Sequence, residues 1–338
     1  MRWMIYGANG YTGELVARLA VERGERPILA GRNAAAVGAL ATSLGLDATV
    51  VDLADEAALR DALGSVDAVA HCAGPFIRTA RPMVDACLAT GTHYVDVTGE
   101  PDVFTAVLAR DAEAKAAGIT LLTGGGYDVV PTDCLAALLA ADLPDATELE
   151  IAFRAGGGLS RGTALTGLDI ATGGALRRVN GELVRGPLGV PSRAVDFPSR
   201  TRTVGAVTWG DVVTAYHSTG IGTITVLSTI PTATMLTRLL RLAPVRALAA
   251  RSIRRGLAGP SAETRARTNV EIVAEVRSPS GARRGVLTGP NGYDITADAV
   301  VREIGLLASA PPGAHTPSTA LGADFVRTLS GVTVIVPA

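Results

Sequence analysis

Ile5-Tyr6-Gly7-Ala8-Asn9-Gly10-Tyr11-Thr12-Gly13-Glu14-Leu15-Val16 places three glycines at a three-residue period between a short apolar run and an alanine- and leucine-rich stretch. The run before the loop, 3–6, has the length and composition of a buried strand, and the spacing after it predicts a helix over 13–23. Glycine at such a turn lets backbone approach a pyrophosphate, while the free amides and dipole of the helix N-terminus favour negative charge. Gly7, Asn9, Gly10, Tyr11, Thr12 and Gly13 are therefore the expected phosphate loop of a bound dinucleotide, with GxxGxxG in place of the commoner GxGxxG.

Outward from this loop the same unit recurs to residue 126. Strands are predicted over 3–6, 27–30, 49–53, 68–72, 94–98 and 120–123, with helices over 13–23, 33–44, 56–63, 80–90 and 102–117. Six strands with five crossovers make a parallel dinucleotide-binding sheet, a Rossmann fold of the α/β class. The rhythm changes after Gly124-Gly125-Gly126, where Pro131 suits the first turn of a helix over 135–143. Beyond it, strands over 149–154, 204–209, 212–217, 221–227, 269–277 and 284–288 predict a mostly antiparallel sheet in a second, α+β domain. The turn Ser278-Pro279-Ser280-Gly281 joins the last two as a hairpin, and helices are predicted over 163–178, 232–255 and 297–309. The expected division is 1–130 for nucleotide binding, 131–310 for substrate binding and dimerisation, and 311–338 as a C-terminal segment returning to the first domain.

Bulk properties narrow the function. At 338 residues, 48% hydrophobic and 19% charged, the chain has material for two cores. Its formal net charge of -1 gives no attraction to nucleic acid or anionic membrane, which leaves a small molecule as the expected partner. No apolar run reaches membrane-span length and none has signal-peptide architecture, so a cytoplasmic location is expected. Cys72, Cys87 and Cys134 are widely spaced with no neighbouring histidine at ligand spacing, so neither a disulfide framework nor a metal site is expected.

The end of the second strand reads Ala30-Gly31-Arg32-Asn33, where an NAD-selective site carries a carboxylate for the ribose 2′-hydroxyl. Arg32 pairs with a 2′-phosphate that a carboxylate would repel, and with Asn33 it points to NADP. Asp52 stands at the adenine side or at a helix cap. Ala73, Gly74, Pro75 and Phe76 follow the fourth strand, where small residues admit the nicotinamide ribose, and Cys72 reads as a small hydrophobe with no base beside it.

The segments GANGYTG, AGRN, HCAGPF, HYVDVTGE at 93–100, GGGYDVVPTD at 124–133 and GPNGYDITA at 289–297 together resemble the saccharopine dehydrogenase-like family, which includes saccharopine reductases and trans-acting enoyl reductases. The resemblance implies an NADP-binding Rossmann domain and an α/β domain that builds the substrate pocket and a homodimer contact. It implies reduction of an activated C=C or C=N bond without fixing the substrate.

The proton donor is less marked. Lys115 is the only lysine and Asp111 stands four residues before it, which excludes the Tyr-x-x-x-Lys pair of short-chain dehydrogenases. Tyr127 and Asp128, following the sixth strand, are the catalytic candidates, though an aspartate ahead of a proline-started helix also suits a cap or turn. Thr98, Gly99 and Glu100 either line the pocket or turn the chain. His217, placed on a strand, is a further pocket candidate, and Arg154, Arg161, Arg177 and Arg178 would serve a substrate with carboxylates. The leucine- and arginine-rich stretch 232–255 suits packing on a sheet better than a membrane surface, because Pro244 interrupts it. A non-catalytic NADP-binding scaffold is the competing reading.

Overall fold

Every residue of β1 (Trp3–Tyr6) is buried, because the strand is covered on both faces. Trp3 and Ile5 pack with Val16, Ala17 and Ala20 of α1 (Tyr11–Glu22), whereas Met4 and Tyr6 face a second layer containing Leu59, Leu63, Met83 and Cys87. Two-sided burial explains why the strands of this sheet are continuous apolar runs. The computed structural model describes residues 1–229, 242–256 and 258–336. Contacts divide the chain into one unit of Met1–Val130 with Tyr293–Ser330 and a second built on Pro131–Gly292 with the segment from Gly331.

In the first unit, β2 (Ile28–Gly31), β3 (Ala48–Val50), β4 (Ala68–His71), β5 (His93–Asp96) and β6 (Thr120–Leu122) alternate with α2 (Ala34–Leu44), α3 (Glu56–Leu63), α4 (Phe76–Thr90), α5 (Pro101–Leu108) and α6 (Asp111–Ala117). A seventh strand, Gly313–His315, adds in parallel beyond β6 and gives the order Gly313–His315, β6, β5, β4, β1, β2, β3. The order reverses between β1 and β4, the switch point at which doubly wound sheets hold a nucleotide. The seventh strand is three residues long and opens on glycine, too short for its pattern to be read from sequence. The helix expected over 102–117 is two, broken at Ala109 and Arg110, and α4 begins at Phe76 rather than at residue 80. The helix Gly292–Leu306, expected from residue 297 in the second domain, belongs to the first unit from Tyr293 onward.

The second unit opens with α7 (Val130–Asp142) and continues through β7 (Glu148–Ala155), α8 (Arg161–Gly173), β8 (Ala175–Val179), β9 (Glu182–Gly186), β10 (Ser192–Asp196), β11 (Thr201–Ala206), α9 (Asp211–Thr219), β12 (Thr223–Ser228), β13 (Val270–Ser278) and β14 (Gly281–Gly289). Its sheet runs β10, β11, β12, β7, β13, β14 and then Thr333–Ile335, with β8 and β9 branching from β12. All its pairs among the described residues are antiparallel except β12 with β7. The hairpin pairs Ser278 with Gly281, as expected. Gly285 admits α7, since a Cβ there would stand 2.8 Å from Leu135 Cδ1.

Two expectations fail here. The segment 212–217, read as a strand from its valines and threonine, is α9: Val212, Val213 and Ala215 are buried along it and Gly220, at φ 72°, ends it in the left-handed conformation. Tertiary burial overrides β-branched propensity. The helix expected over 163–178 stops at Gly173, and Ala175–Val179 becomes β8. Of the helix expected over 232–255, residues 230–241 lie outside the described residues, and Ala243–Gly256 is helical. Leu248 on it is 69% exposed, so that position does not serve the packing role expected of it. No described helix is long and apolar enough to cross a membrane.

One buried carboxylate ties the first sheet together at its carboxyl edge. Asp96 accepts from the amides of Thr98 (3.0 Å) and Gly124 (2.9 Å) on Oδ1, and from the hydroxyls of Tyr94 (2.9 Å) and Thr123 (2.9 Å) on Oδ2. The end of β5 is thereby fixed to the end of β6. Burial still lifts the Asp96 carboxyl above its ordinary range, with the four donors pulling the other way. The two donors on Oδ2 are hydroxyls, which rotate to accept. Asp96→Asn is therefore expected to cost about 1 kcal/mol, and Asp96→Ala, which strands two buried amides and two hydroxyls, about 3 kcal/mol or more. Urea denaturation of both variants checks this, and equal losses would count against the knot.

Candidate nucleotide and catalytic site

The glycine loop is shaped by backbone meeting backbone. Gly7 and Ala8 both donate to the Ala30 carbonyl (2.8 and 3.1 Å), tying the end of β1 to β2. Gly7 has φ +84°, and a Cβ on it would stand 2.8 Å from both the nitrogen and the Cβ of Ala73. A Cβ on Gly13 would overlap the Gly7 carbonyl oxygen and lie 2.9 Å from Ala8 Cα. Gly10 donates to the Gly7 carbonyl (2.9 Å) and stands at the N-cap of α1, where no side chain caps the helix. Asn9 and Gly10 are exposed, and Tyr11 stacks edge-on against Tyr293 at 4.8 Å. A helix N-terminus without a side-chain cap, approached by glycine backbone that leaves no room for a Cβ at Gly7 or Gly13, fits a pyrophosphate.

At the end of β2, Arg32 is exposed and no carboxylate occupies the ribose position. Asn33 is the N-cap of α2, its side chain accepting from the Ala36 amide (3.1 Å). Asp52 is exposed and accepts from the Ala54 amide (3.0 Å) in a turn, while the cap of α3 is Asp55. Asp52 therefore holds no helix cap.

Beyond β4, the Thr79 hydroxyl donates to the Ala73 carbonyl (2.6 Å), and His71 Nε2 lies 3.1 Å from the same hydroxyl. Burial pushes His71 down to about 3, so it is a neutral spacer under Ala73. The Cys72 thiol is pushed up to about 12 by burial and then by Asp96, in keeping with an inert side chain. Phe76 packs edge-on against His71 at 5.3 Å, and its own amide is held by Glu100. Gly74 and Pro75 are exposed on the same edge.

The catalytic candidates sit between β6 and α7. The Tyr127 amide donates to Thr296 Oγ1 (3.0 Å), which anchors the loop to the helix Gly292–Leu306. Asp128 keeps partial exposure and presses its carboxyl on the neighbouring loop: a Cβ on Gly99 would come within 2.7 Å of Oδ2. Burial raises the Asp128 carboxyl to about 6, so it carries a proton in weakly acidic solution.

Several charged groups take partners or places that the sequence left open or did not show. Glu100 accepts from the amides of Phe76 and Ile77, both at 2.9 Å, and so holds the N-terminus of α4. Glu303 is fully buried with neither carboxyl oxygen hydrogen-bonded; desolvation, then Asp96, raise it well above the carboxylate range, and it fills the space a side chain on Gly125 would need. His217 lies exposed in the last turn of α9, away from any strand. Arg154 pairs with Glu271 (2.8 Å) and Asn269 (3.1 Å), and Arg178 donates to the Val212 carbonyl (2.7 Å) and stacks on Tyr216 at 3.9 Å. Arg161 is exposed at the start of α8, and Arg177 is half-buried on β8. No sequence signal marks Glu303, which reads as one more helix acid.

The raised Asp128 carboxyl makes stability depend on pH. Its folded value lies above the unfolded one, so its contribution is complete below about 4 and is lost as pH rises through about 6. Asp128→Asn removes that loss. Because Asp128 is partly exposed, the variant is expected to gain about 1–2 kcal/mol over the parent at pH 8 and nothing at pH 4. Paired denaturation curves at the two pH values check it.

Comparison with known proteins agrees with this geometry. Residues 3–122 match the family described as the saccharopine dehydrogenase NADP binding domain. A trans-acting enoyl reductase of Mycobacterium leprae is 33% identical over 138 residues, 38% of this chain and 33% of that protein. A saccharopine dehydrogenase-like oxidoreductase of Mus musculus is 27% identical over 150 residues, 38% and 35% of the respective chains. The chain spans less than half the length of the curated relatives it matches. In fold, saccharopine dehydrogenase (L-Glu forming) of Saccharomyces cerevisiae superposes with TM-score 0.67 at 13% identity, covering 100% of both chains. The sheet, its glycine loop and the match over residues 3–122 identify the N-terminal part of the chain as a Rossmann domain similar to the saccharopine dehydrogenase NADP binding domain.

Proposed function

We propose that the chain is an NADPH-dependent reductase of an activated double bond, C=C in an enoyl or acyl substrate or C=N in an imine. The observation that carries the proposal is a protonatable carboxyl, Asp128, on the same carboxyl edge of one sheet as the glycine cradle. Bound NADPH supplies a hydride from its nicotinamide. The residues of this chain then have separable tasks. The amides around Gly7–Gly13 hold the pyrophosphate, Arg32 selects the 2′-phosphate, Asn33 shapes the turn beside it, and Asp52 lies toward the adenine. Ala73, Gly74, Pro75 and Phe76 border the nicotinamide ribose. Asp128 supplies the proton that the hydride acceptor needs, with Tyr127 beside it orienting the substrate.

Of the four arginines that could serve the imine branch, Arg154 and Arg178 are unsuited to it, which leaves Arg161 and Arg177 for that reading. A dicarboxylate imine requires guanidinium groups free to grip it, and Arg154 and Arg178 are engaged by Glu271, Asn269, Val212 and Tyr216. We read the protein as a cytoplasmic homodimer acting on a small-molecule or acyl substrate.

Titration with NADPH and NADH, followed by nicotinamide fluorescence, tests the cofactor half. NADPH is expected to bind more tightly, and Arg32→Ala to weaken it about tenfold or more while leaving NADH unchanged. Failure of both nucleotides to bind would leave no basis for the reductase. For the chemical half, Asp128→Asn is expected to keep NADPH affinity and lose turnover of enoyl substrates by about 100-fold or more. Unchanged turnover would remove Asp128 from the mechanism and point to another acid, while binding without turnover of any enoyl or imine substrate would favour a scaffold.

A further inference from the structure

The loop Thr98-Gly99-Glu100 touches both the α4 N-terminus and the Asp128 carboxyl. At one end, the Glu100 carboxylate takes a bidentate grip on the first two amides of α4, those of Phe76 and Ile77, each at 2.9 Å. The helix has no other side-chain cap, so its N-terminal partial charge is met by Glu100 from a different strand connection, 24 residues away along the chain. In the middle, the Glu100 amide donates to Thr98 Oγ1 (3.1 Å), and the Thr98 amide donates to Asp96 Oδ1 (3.0 Å). The loop is therefore fixed at three successive points, and Gly99 sits between them. Opposite Gly99 lies the Asp128 carboxyl, closer than any side chain would permit: a Cβ at residue 99 would stand 2.7 Å from Oδ2, 3.3 Å from Cγ and 3.4 Å from Cβ of Asp128. Gly99 is not among the residues with positive φ, so its lack of a side chain serves this contact and no turn.

We propose that Glu100 is a positioning residue for Asp128, acting through Gly99: by clamping the loop to the α4 N-terminus it presses the Gly99 backbone against the Asp128 carboxyl and fixes where that carboxyl delivers its proton. The inference rests on Asp128 as the proton donor, but its geometry stands independently of turnover. It also couples the Ala73–Phe76 wall of the nucleotide site to the acid, since the amide that Glu100 holds belongs to Phe76.

Two substitutions separate the parts. Gly99→Ala places a methyl where the carboxyl now lies, and the only group that must yield is the end of one short side chain, so the fold is spared while Asp128 is displaced. Glu100→Ala frees the loop from α4, and Glu100→Gln keeps one acceptor oxygen of the two. Each variant is prepared as the full chain with carboxyl-13C aspartate, and the Asp128 resonance is assigned by its loss in Asp128→Asn. The Asp128 midpoint is expected near the value of about 6 in the parent. Gly99→Ala and Glu100→Ala are expected to lower it by about one pH unit or more, as the carboxyl reaches water, and Glu100→Gln to lower it by less. A merely structural cap would lower the unfolding temperature of Glu100→Ala and leave the Asp128 midpoint in place; an unmoved midpoint in folded Gly99→Ala and Glu100→Ala overturns the proposal. If Glu100→Ala does not fold, Gly99→Ala with Glu100→Gln decides in the same way. Because the titration needs no substrate, it fails or holds separately from the reductase reading, which is decided by turnover of Asp128→Asn.

Discussion

Everything at the nucleotide edge depends on how closely the turn after β1 approaches its neighbours. Gly7 lies against Ala73 so tightly that a Cβ would stand 2.8 Å away, and Gly13 lies against the Gly7 carbonyl with no room for a side chain at all. These contacts bring α1, the end of β1 and the loop after β4 into one ridge, with backbone against backbone at Gly7 and Gly13. Overpacking at such a point forces backbone to move, because backbone faces the missing side chain on both sides. The polar cradle is thus a consequence of steric exclusion: a helix N-terminus becomes an anion site here because no Cβ fits at Gly7 or Gly13.

The carboxyls behind this edge show three solutions to burial. Asp96 meets four donors and locks β5 to β6. Glu303 meets none, and its desolvation favours the neutral acid in the dry layer beneath Gly125. Asp128 takes the intermediate course, partly exposed and pressed on Gly99, with a carboxyl that titrates at about 6. Of the three, only Asp128 combines partial exposure of the residue with a titration in the range where an enzyme exchanges protons. Asp96 is too well held and Glu303 too deeply enclosed for either to exchange protons with a ligand directly.

The parallel sheet was legible because its signal is strong and local: short buried runs alternating with helices, and glycines at a fixed place between the first strand and the first helix. The second unit was legible in its long strands and in the hairpin at Ser278–Gly281, and illegible where burial opposed propensity, as in α9. Valines and threonine there are set by the faces they bury, which the sequence does not label. Around the site, Arg32 and the glycines could be placed by register alone, since strand ends define the edge. Asn33 could be placed but not given a role, because a cap and a ligand use the same side chain. Glu100 could be placed at the pocket edge but not given its clamping role, since its partners are the amides of Phe76 and Ile77, which a sequence shows only as residues with no polar side chain.

The arginines of the second unit bear on substrate class through what they already hold. Arg154 answers Glu271, which also accepts the Ser199 amide (2.9 Å) and hydroxyl (2.8 Å), so the guanidinium is one corner of a network whose acid is buried. Turning Arg154 toward a substrate carboxylate would leave Glu271 a buried charge with its main counter-ion gone, at a cost that a single new ion pair offsets poorly. Arg178 is held by the Val212 carbonyl and the Tyr216 ring, and releasing it would forfeit both contacts. A substrate whose carboxylates were gripped by Arg154 and Arg178 would have to dismantle both arrangements. An acyl substrate asks for neither, and its recognition by shape and apolar contact leaves the ion pairs of this sheet intact.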